Sequence, residues 1–581
     1  MEKQKVSPPI VLIIHGFASH KEKYAELKEI VEKSYPGCDP IIPYFPLPLF
    51  STIQPNKIVN DLLQVLDKAW KEYLLISYPE DLPPEIIIVG HSAGCLLARK
   101  LYIVACGETE NCLFEHDVNN KQPKEWAKHV SRIILLAGVN NGWTTTHHLN
   151  NKKAISIGIG ILLGHIVEFF SPKKLFAFQI RKGSPFISNL RLQWIWMKKE
   201  SKARNIPEPL TIQLLGTIDD IVPPDNNIDI YSGSNFIYLE VPNSGHINIL
   251  ELNDSIKGLS NDEIEKRNLR AAVVKNALLK NRNELLEEQK VTVGEISAKE
   301  QSDITDVVFV IHGIRDTAYW TEKMANRIKA YGYTQGRKFA TETSSYGYFS
   351  MLQFLLLGRR TAKMEWLVDQ YIENLALYPN AQDNFSFFGH SNGTYLLAAA
   401  FKKYPAIKFK NVVLAGSVVQ KSFAWDNLKN QKRITNYFNL TATDDWVVGI
   451  FPKAFEKLPF IDLGSGGFDG FRNMPANSQL KYLKGGHGEG TTEKYWNEIA
   501  YFMVHGNVTN NASAFVPFKR PLFWKIIGFL APIPFLVGIS ILIVIGVFIF
   551  EWLPDSKFNL ENKILIELLY IYVIWKLISK F

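Results

Sequence analysis

Cysteine is scarce in this chain of 581 residues. There are four (Cys38, Cys95, Cys106, Cys112), all in the first half and none at metal-ligand spacing. That excludes a disulfide framework or a zinc site and points to reduced thiols in a cytosolic protein. Nucleotide signatures are missing as well: there is no P-loop, and no G-x-G-x-x-G opens a helix. No nucleic-acid partner is therefore expected. The N-terminus offers no secretory signal, because Met1 to Pro9 is polar and the apolar run Ile10 to Ile14 is far too short. Extreme charge is lacking too: the net +8 is moderate for this length, so where the excess sits matters more than its size. With 46 % hydrophobic and 21 % charged residues, wholesale disorder is excluded, and 581 residues suffice for at least two cored domains.

What is present centres on Glu85 to Leu101, EIIIVGHSAGCLLARKL. Ile86, Ile87, Ile88 and Val89 read as a buried strand, Gly90-His91-Ser92-Ala93-Gly94 as a tight turn, and Cys95 onward as a helix. Strand, G-x-S-x-G, helix is the order of a nucleophile elbow. A serine at such an apex has its hydroxyl exposed near the positive end of a helix. The unit recurs: Phe385 to Phe388 runs into Gly389-His390-Ser391-Asn392-Gly393, and Thr394 to Phe401 continues as a helix.

Around each elbow the same sequence of parts repeats. Ile10 to Ile14 is a buried strand ending in His15-Gly16-Phe17, and Val307 to Ile311 ends in His312-Gly313-Ile314. His15 precedes Ser92 by 77 residues and His312 precedes Ser391 by 79. After the first elbow come strands at Arg132–Gly138, Leu210–Leu215 (ending near Asp219-Asp220) and Phe236–Val241, which leads into Asn243-Ser244-Gly245-His246. After the second come strands at Asn411–Gly416, Ile434–Thr441 (leading to Asp444-Asp445) and Gln479–Leu483, before Gly485-Gly486-His487.

A serine hydroxyl is a weak nucleophile until a neutral histidine takes its proton and a carboxylate holds that histidine. The stretches HGF, GHSAG, GTIDDIVP and NSGH together resemble the α/β-hydrolase superfamily in its lipase and esterase branch. The likeness covers about residues 8–290 and again about 305–505. It implies Ser92 as nucleophile, Asp219 as orienting acid and His246 as base, in the order Ser…Asp…His. The pattern Asp-x-x-Val fits Asp219 through Val222, with Asp220 as the alternative. The backbone N–H groups of Phe17 and Ala93 would form the oxyanion hole. The second copy implies Ser391, Asp444 and His487, with Ile314 and Asn392 as oxyanion donors. Asp445 and Asp469 remain alternative acids there. No metal or organic cofactor is implied.

Two segments lie outside this frame. Residues 143–209 insert a cap or lid between strands and carry eleven Lys/Arg against three acids, as large as the excess of the whole chain. Its rings (Phe169, Phe170, Phe176, Phe178, Trp194, Trp196) suggest a face resting on an anionic leaflet, with an ordinary cap of core-packed rings and solvated lysines as the alternative. At the C-terminus, residues 526–550 hold no charged residue, with Trp524 and Trp552 at the edges. A second apolar run spans 564–578.

The resulting expectation is an α/β fold with two tandem α/β-hydrolase domains, each a mostly parallel sheet flanked by helices. Domain 1 would span 1–290, a linker 291–304, domain 2 305–505, and a transmembrane anchor 520–581, keeping the catalytic domains on the cytoplasmic side. The expected activity is serine hydrolysis of esters, of lipids or acylated molecules, at a lipid membrane. Hydrolysis of soluble thioesters, amides or small esters, or a tethered interaction role with a degenerate second domain, are the alternatives.

Overall fold

The computed structural model describes residues 7–17, 20–48, 50–76, 82–143, 175–201, 203–218, 235–256, 258–288, 301–314, 319–343, 357–456, 462–509, 515–554 and 560–580. It forms two compact units, one within Met1–Lys299 and one within Glu300–Phe581. Asp219, Asp220, the lid residues 144–174 and most of the expected linker lie outside the described residues.

In the first unit the β-branched runs form five strands: β1 Ile10–Ile14, β2 Ile86–His91, β3 Val130–Leu136, β4 Leu210–Gly216 and β5 Phe236–Val241. They pair in sequence order, β1-β2-β3-β4-β5, and every pairing is parallel. Parallel neighbours need crossovers, and helices supply them. β2 is buried along its whole length, as a strand covered on both faces must be. Helix α1 (Ala25–Ser34) and α2 (Pro55–Ile76) precede the elbow strand, α3 (Ala93–Cys106) follows it, and α4 (Pro185–Ser201) falls between β3 and β4. Helix α5 (Asn261–Leu279) follows β5, its start capped by Ser260, whose hydroxyl accepts the Glu263 N–H at 3.2 Å.

The second unit has six strands: β6 Asp306–Ile311, β7 Phe339–Glu342, β8 Phe385–His390, β9 Phe409–Ala415, β10 Ile434–Ala442 and β11 Gln479–Leu483. Their order is β11-β10-β9-β8-β6-β7, again all parallel. Phe339 to Glu342 went unread in the sequence because four residues carry little periodicity. In the first unit the corresponding place beside β1 holds, among the described residues, only an isolated parallel bridge between Leu12 and Ile41. Helices α6 (Tyr319–Thr334), α7 (Leu357–Leu377), α8 (Asn392–Lys403), α9 (Trp446–Phe455) and α10 (Trp496–His505) complete this layer structure.

The C-terminal anchor is not borne out. The charge-free run does not form one helix but divides at Ala531 into α11 (Leu522–Leu530) and α12 (Pro532–Trp552), followed by α13 (Leu560–Lys580). Pro532 has no N–H to continue the ladder. Ala531 is buried, and Gly528 lies so close to Phe468 that an added Cβ would come within 2.6 Å of the ring. The start of the run is thus packed on the second unit's own side chains. Arg520, just before it, donates to the carbonyls of Ala442, Thr443 and Phe468 and stacks on the Phe468 ring at 3.6 Å. Among the described residues no helix is long and apolar enough to cross a membrane. The transmembrane part of the expected fold and the cytoplasm-facing, membrane-anchored placement derived from it are both overturned.

The lid is also different in kind from the leaflet-resting face expected. Phe176, Trp194 and Trp196 are buried, with α4 packed on α3. Lys198 pairs with Glu208 at 2.6 Å, and Lys199 lies over the Trp196 ring at 5.0 Å. Those rings are core, Lys198 is paired internally and Lys199 is exposed; Phe169, Phe170, Lys173 and Lys174 lie outside the described residues.

Candidate active site

Ser92 sits between β2 and α3 with φ 54° and ψ −123°, a conformation an L-residue adopts only when its surroundings compel it. The glycines on either side make that possible. A Cβ on Gly90 would lie 2.7 Å from the Gly94 carbonyl oxygen, and one on Gly94 would lie 2.3 Å from that of Ile14. The Ser92 N–H is anchored to Leu136 O at 2.9 Å. At this apex Ser92 Oγ meets His246 Nε2 at 2.8 Å. His246 comes from the loop after β5, where the Gly245 N–H is held by Asn248 Oδ1 at 2.6 Å. Phe17 follows β1, its ring stacked 5.8 Å from that of Phe176, and Ala93 is the first residue of α3. Gly16 approaches the apex so closely that a Cβ there would be 2.9 Å from Ser92 Cβ. Cys95, one turn into α3, is no rival nucleophile: burial pushes its thiol up, and its Sγ is directed to Gly90 O at 3.2 Å.

The second unit repeats the elbow. Ser391 has φ 51°, its N–H donates to Ala415 O at 3.0 Å, and a Cβ on Gly393 would lie 2.5 Å from Ile311 O. Asn392 opens α8, and Ile314 follows His312-Gly313 beyond β6. Here the histidine–carboxylate half is formed: His487 Nδ1 lies 3.0 Å from both Asp445 oxygens. The carboxylate that meets His487 is that of Asp445, not Asp444. Asp445 is fully buried at the N-terminus of α9, where its Oδ1 also accepts the Val448 N–H at 3.0 Å, whereas Asp444 is half-buried and its N–H bonds to Gly485 O. A capping carboxylate is fixed by its helix, and that fixes its aim at the histidine. Asp469 is engaged elsewhere. Burial would raise its carboxyl, but hydrogen bonds from Lys453 and Ser465 and the charge of Lys421 outweigh that and hold it below the usual range.

Each unit thus displays a different half of a Ser-His-Asp system. Ser92 and His246 are in contact while Asp219 is outside the described residues. Asp445 and His487 are paired, but among the described residues Ser391 Oγ makes no hydrogen bond to His487. Two residues that no triad motif singled out also touch the first site. His91 and Tyr24 hydrogen-bond each other at 3.0 Å, and the signal that could have found the former is the histidine at the same place in both elbows.

A parallel sheet, an elbow serine on a strained turn and a histidine delivered from the loop after the last strand of that sheet define an α/β-hydrolase arrangement. No family model and no curated protein matches the chain. Among solved structures it is similar to phospholipase PlaB from Legionella pneumophila, at 16 % identity and TM-score 0.30, over 49 % of this chain and 61 % of that one. It is also similar to the carboxylesterase Cest-2923 from Lactobacillus plantarum, at 14 % identity and TM-score 0.30, over 50 % and 90 % of the two chains. A third is Est1E from Butyrivibrio proteoclasticus, at 13 % identity and TM-score 0.25, over 48 % and 89 %. The chain spans about three fifths of the length of PlaB. Likenesses at these scores assign no activity.

Proposed function

We propose that this protein is a serine hydrolase acting on ester bonds, with its working site in the first unit. The observation that carries the reading is the 2.8 Å contact between Ser92 Oγ, on its strained elbow, and His246 Nε2. His246 takes the hydroxyl proton as Ser92 attacks the ester carbonyl carbon. The oxyanion is received by the N–H groups of Phe17 and Ala93, and the positive end of α3 adds to that stabilisation. His246 then returns the proton to the departing alcohol, leaving an acyl-enzyme. Water, deprotonated by the same imidazole, releases the acid and restores Ser92. Asp219 would steady the imidazolium.

Ile218 and Ile247, 62 % and 58 % exposed, lie on the loops around His246, and they favour an ester with an apolar acyl or alcohol group. The second unit is a lesser site, Ser391-His487-Asp445 with Ile314 and Asn392 as donors, because its serine lacks the histidine contact that Ser92 has. Labelling with a fluorophosphonate probe and turnover of p-nitrophenyl esters of increasing chain length test this. Ser92→Ala lowers turnover on the order of 10⁶-fold and removes most labelling, while Ser391→Ala leaves most of both. Full turnover in Ser92→Ala refutes the reading.

A further inference from the structure

The two loops that must cooperate at Ser92 are tied together behind it. The Gly16 N–H donates to Tyr24 Oη at 2.8 Å, Tyr24 Oη lies 3.0 Å from His91 Nδ1, and His91 Nε2 lies 2.9 Å from the carbonyl oxygen of His246. The protons in this chain can be assigned. A carbonyl only accepts, so His91 Nε2 carries the hydrogen. The Nδ1 of a neutral imidazole then accepts, and takes the Tyr24 hydroxyl proton. The Tyr24 oxygen keeps a lone pair for the Gly16 N–H. Every bond runs in one direction, from the oxyanion strand to the backbone of the base. Tyr24 is fully buried and His91 is 6 % exposed, so water does not compete for these groups.

The other face of Gly16 is held as well. The Phe45 N–H donates to His15 Nε2 at 3.2 Å, which leaves the hydrogen on Nδ1, and Nδ1 donates to Gly16 O at 2.9 Å. That carbonyl belongs to the same planar peptide as the Phe17 N–H. Fixing where the oxygen points therefore fixes where the N–H points. The second unit keeps two of these ties, His312 Nδ1 to Gly313 O at 2.6 Å and His390 Nε2 to His487 O at 3.2 Å. Against His390 it places the edge of Trp320, 6.2 Å between centroids, where the first unit has Tyr24.

We propose that Tyr24 and His91 are positioning residues for catalysis: they lock the base-bearing loop at His246 to the strand end that supplies the oxyanion donor, so that both reach the elbow in register. This rests on the reading of Ser92 as nucleophile. It predicts that Tyr24→Phe, which keeps the ring, lowers kcat for p-nitrophenyl butyrate and the fluorophosphonate labelling rate of Ser92 by about 10- to 100-fold, with KM nearly unchanged. His91→Leu does the same, and the double variant is no slower than the slower single one, because one chain has been cut twice. His91→Gln, whose amide N–H can still donate to His246 O, recovers part of the rate. Thermal melting of each variant separates rate loss from unfolding. Wild-type kcat in a folded Tyr24→Phe, or losses that multiply in the double variant, overturns the proposal while Ser92→Ala still abolishes turnover. Full turnover in Ser92→Ala refutes the underlying reading, and this proposal with it.

Discussion

At the scale of single residues, the second site shows how little separates a histidine-paired carboxylate from its neighbour. Asp444 and Asp445 are adjacent, and only the latter is buried, caps α9 and meets His487. Asp445→Asn is expected to lower Ser391 labelling by about 10⁴-fold, since an amide selects the wrong imidazole tautomer, while Asp444→Asn changes it little. Labelling in a Ser92→Ala background measures this directly. A second case is His15, whose imidazole burial holds below its ordinary range, against the raising effect of its bonds to Gly16 and Phe45. The folded state therefore resists a proton that the unfolded state accepts below a pH of about 6.5. Stability falls as pH drops through that value and levels off once the lower, folded-state value is passed. His15→Gln flattens the slope, as urea melts of the first unit at a series of pH values can show.

At the scale of elements, the informative case is α4. Its cations and rings mimic an amphipathic surface helix in sequence, yet Leu190, Leu192, Trp194 and Trp196 are all buried, on more than one side of the helix. A helix buried on several sides belongs inside a domain, whatever its polar residues suggest. Trp196→Ala should therefore cost about 3–5 kcal/mol, the range for emptying a buried aromatic site. Equilibrium denaturation is the check, and a change below about 1 kcal/mol would place the ring at the surface after all. Arg520 is the parallel case in the second unit, tying the start of the C-terminal helices to the carbonyls just before Asp444.

At the scale of the whole molecule, each unit has its own core. One is built on Val11, Ile87, Ile134 and Ile212, the other on Val308, Phe388, Val413 and Phe438. Two separate cores predict two calorimetric transitions rather than one. Trp196→Ala should lower one of them and leave the other in place. A single transition that moves as a whole would show that the units unfold cooperatively.

Ten of the eleven described strands and both elbows were legible in the sequence, because local chemistry enforces them, whereas the four-residue β7 was not. β-branched runs make buried strands, and a turn too tight for Cβ atoms demands Gly90 and Gly94. Which of two adjacent carboxylates faces His487 was settled by the packing, since it depends on where α9 begins and how its cap is aimed. The same holds for the lid's rings and for the C-terminal run. Apolar sequence says that a segment leaves water but not what covers it. Here α3 covers the rings of α4, and Phe468 meets Gly528. Tyr24 and His91 could not have been paired from sequence, because the bond joining them closes a gap of 67 residues.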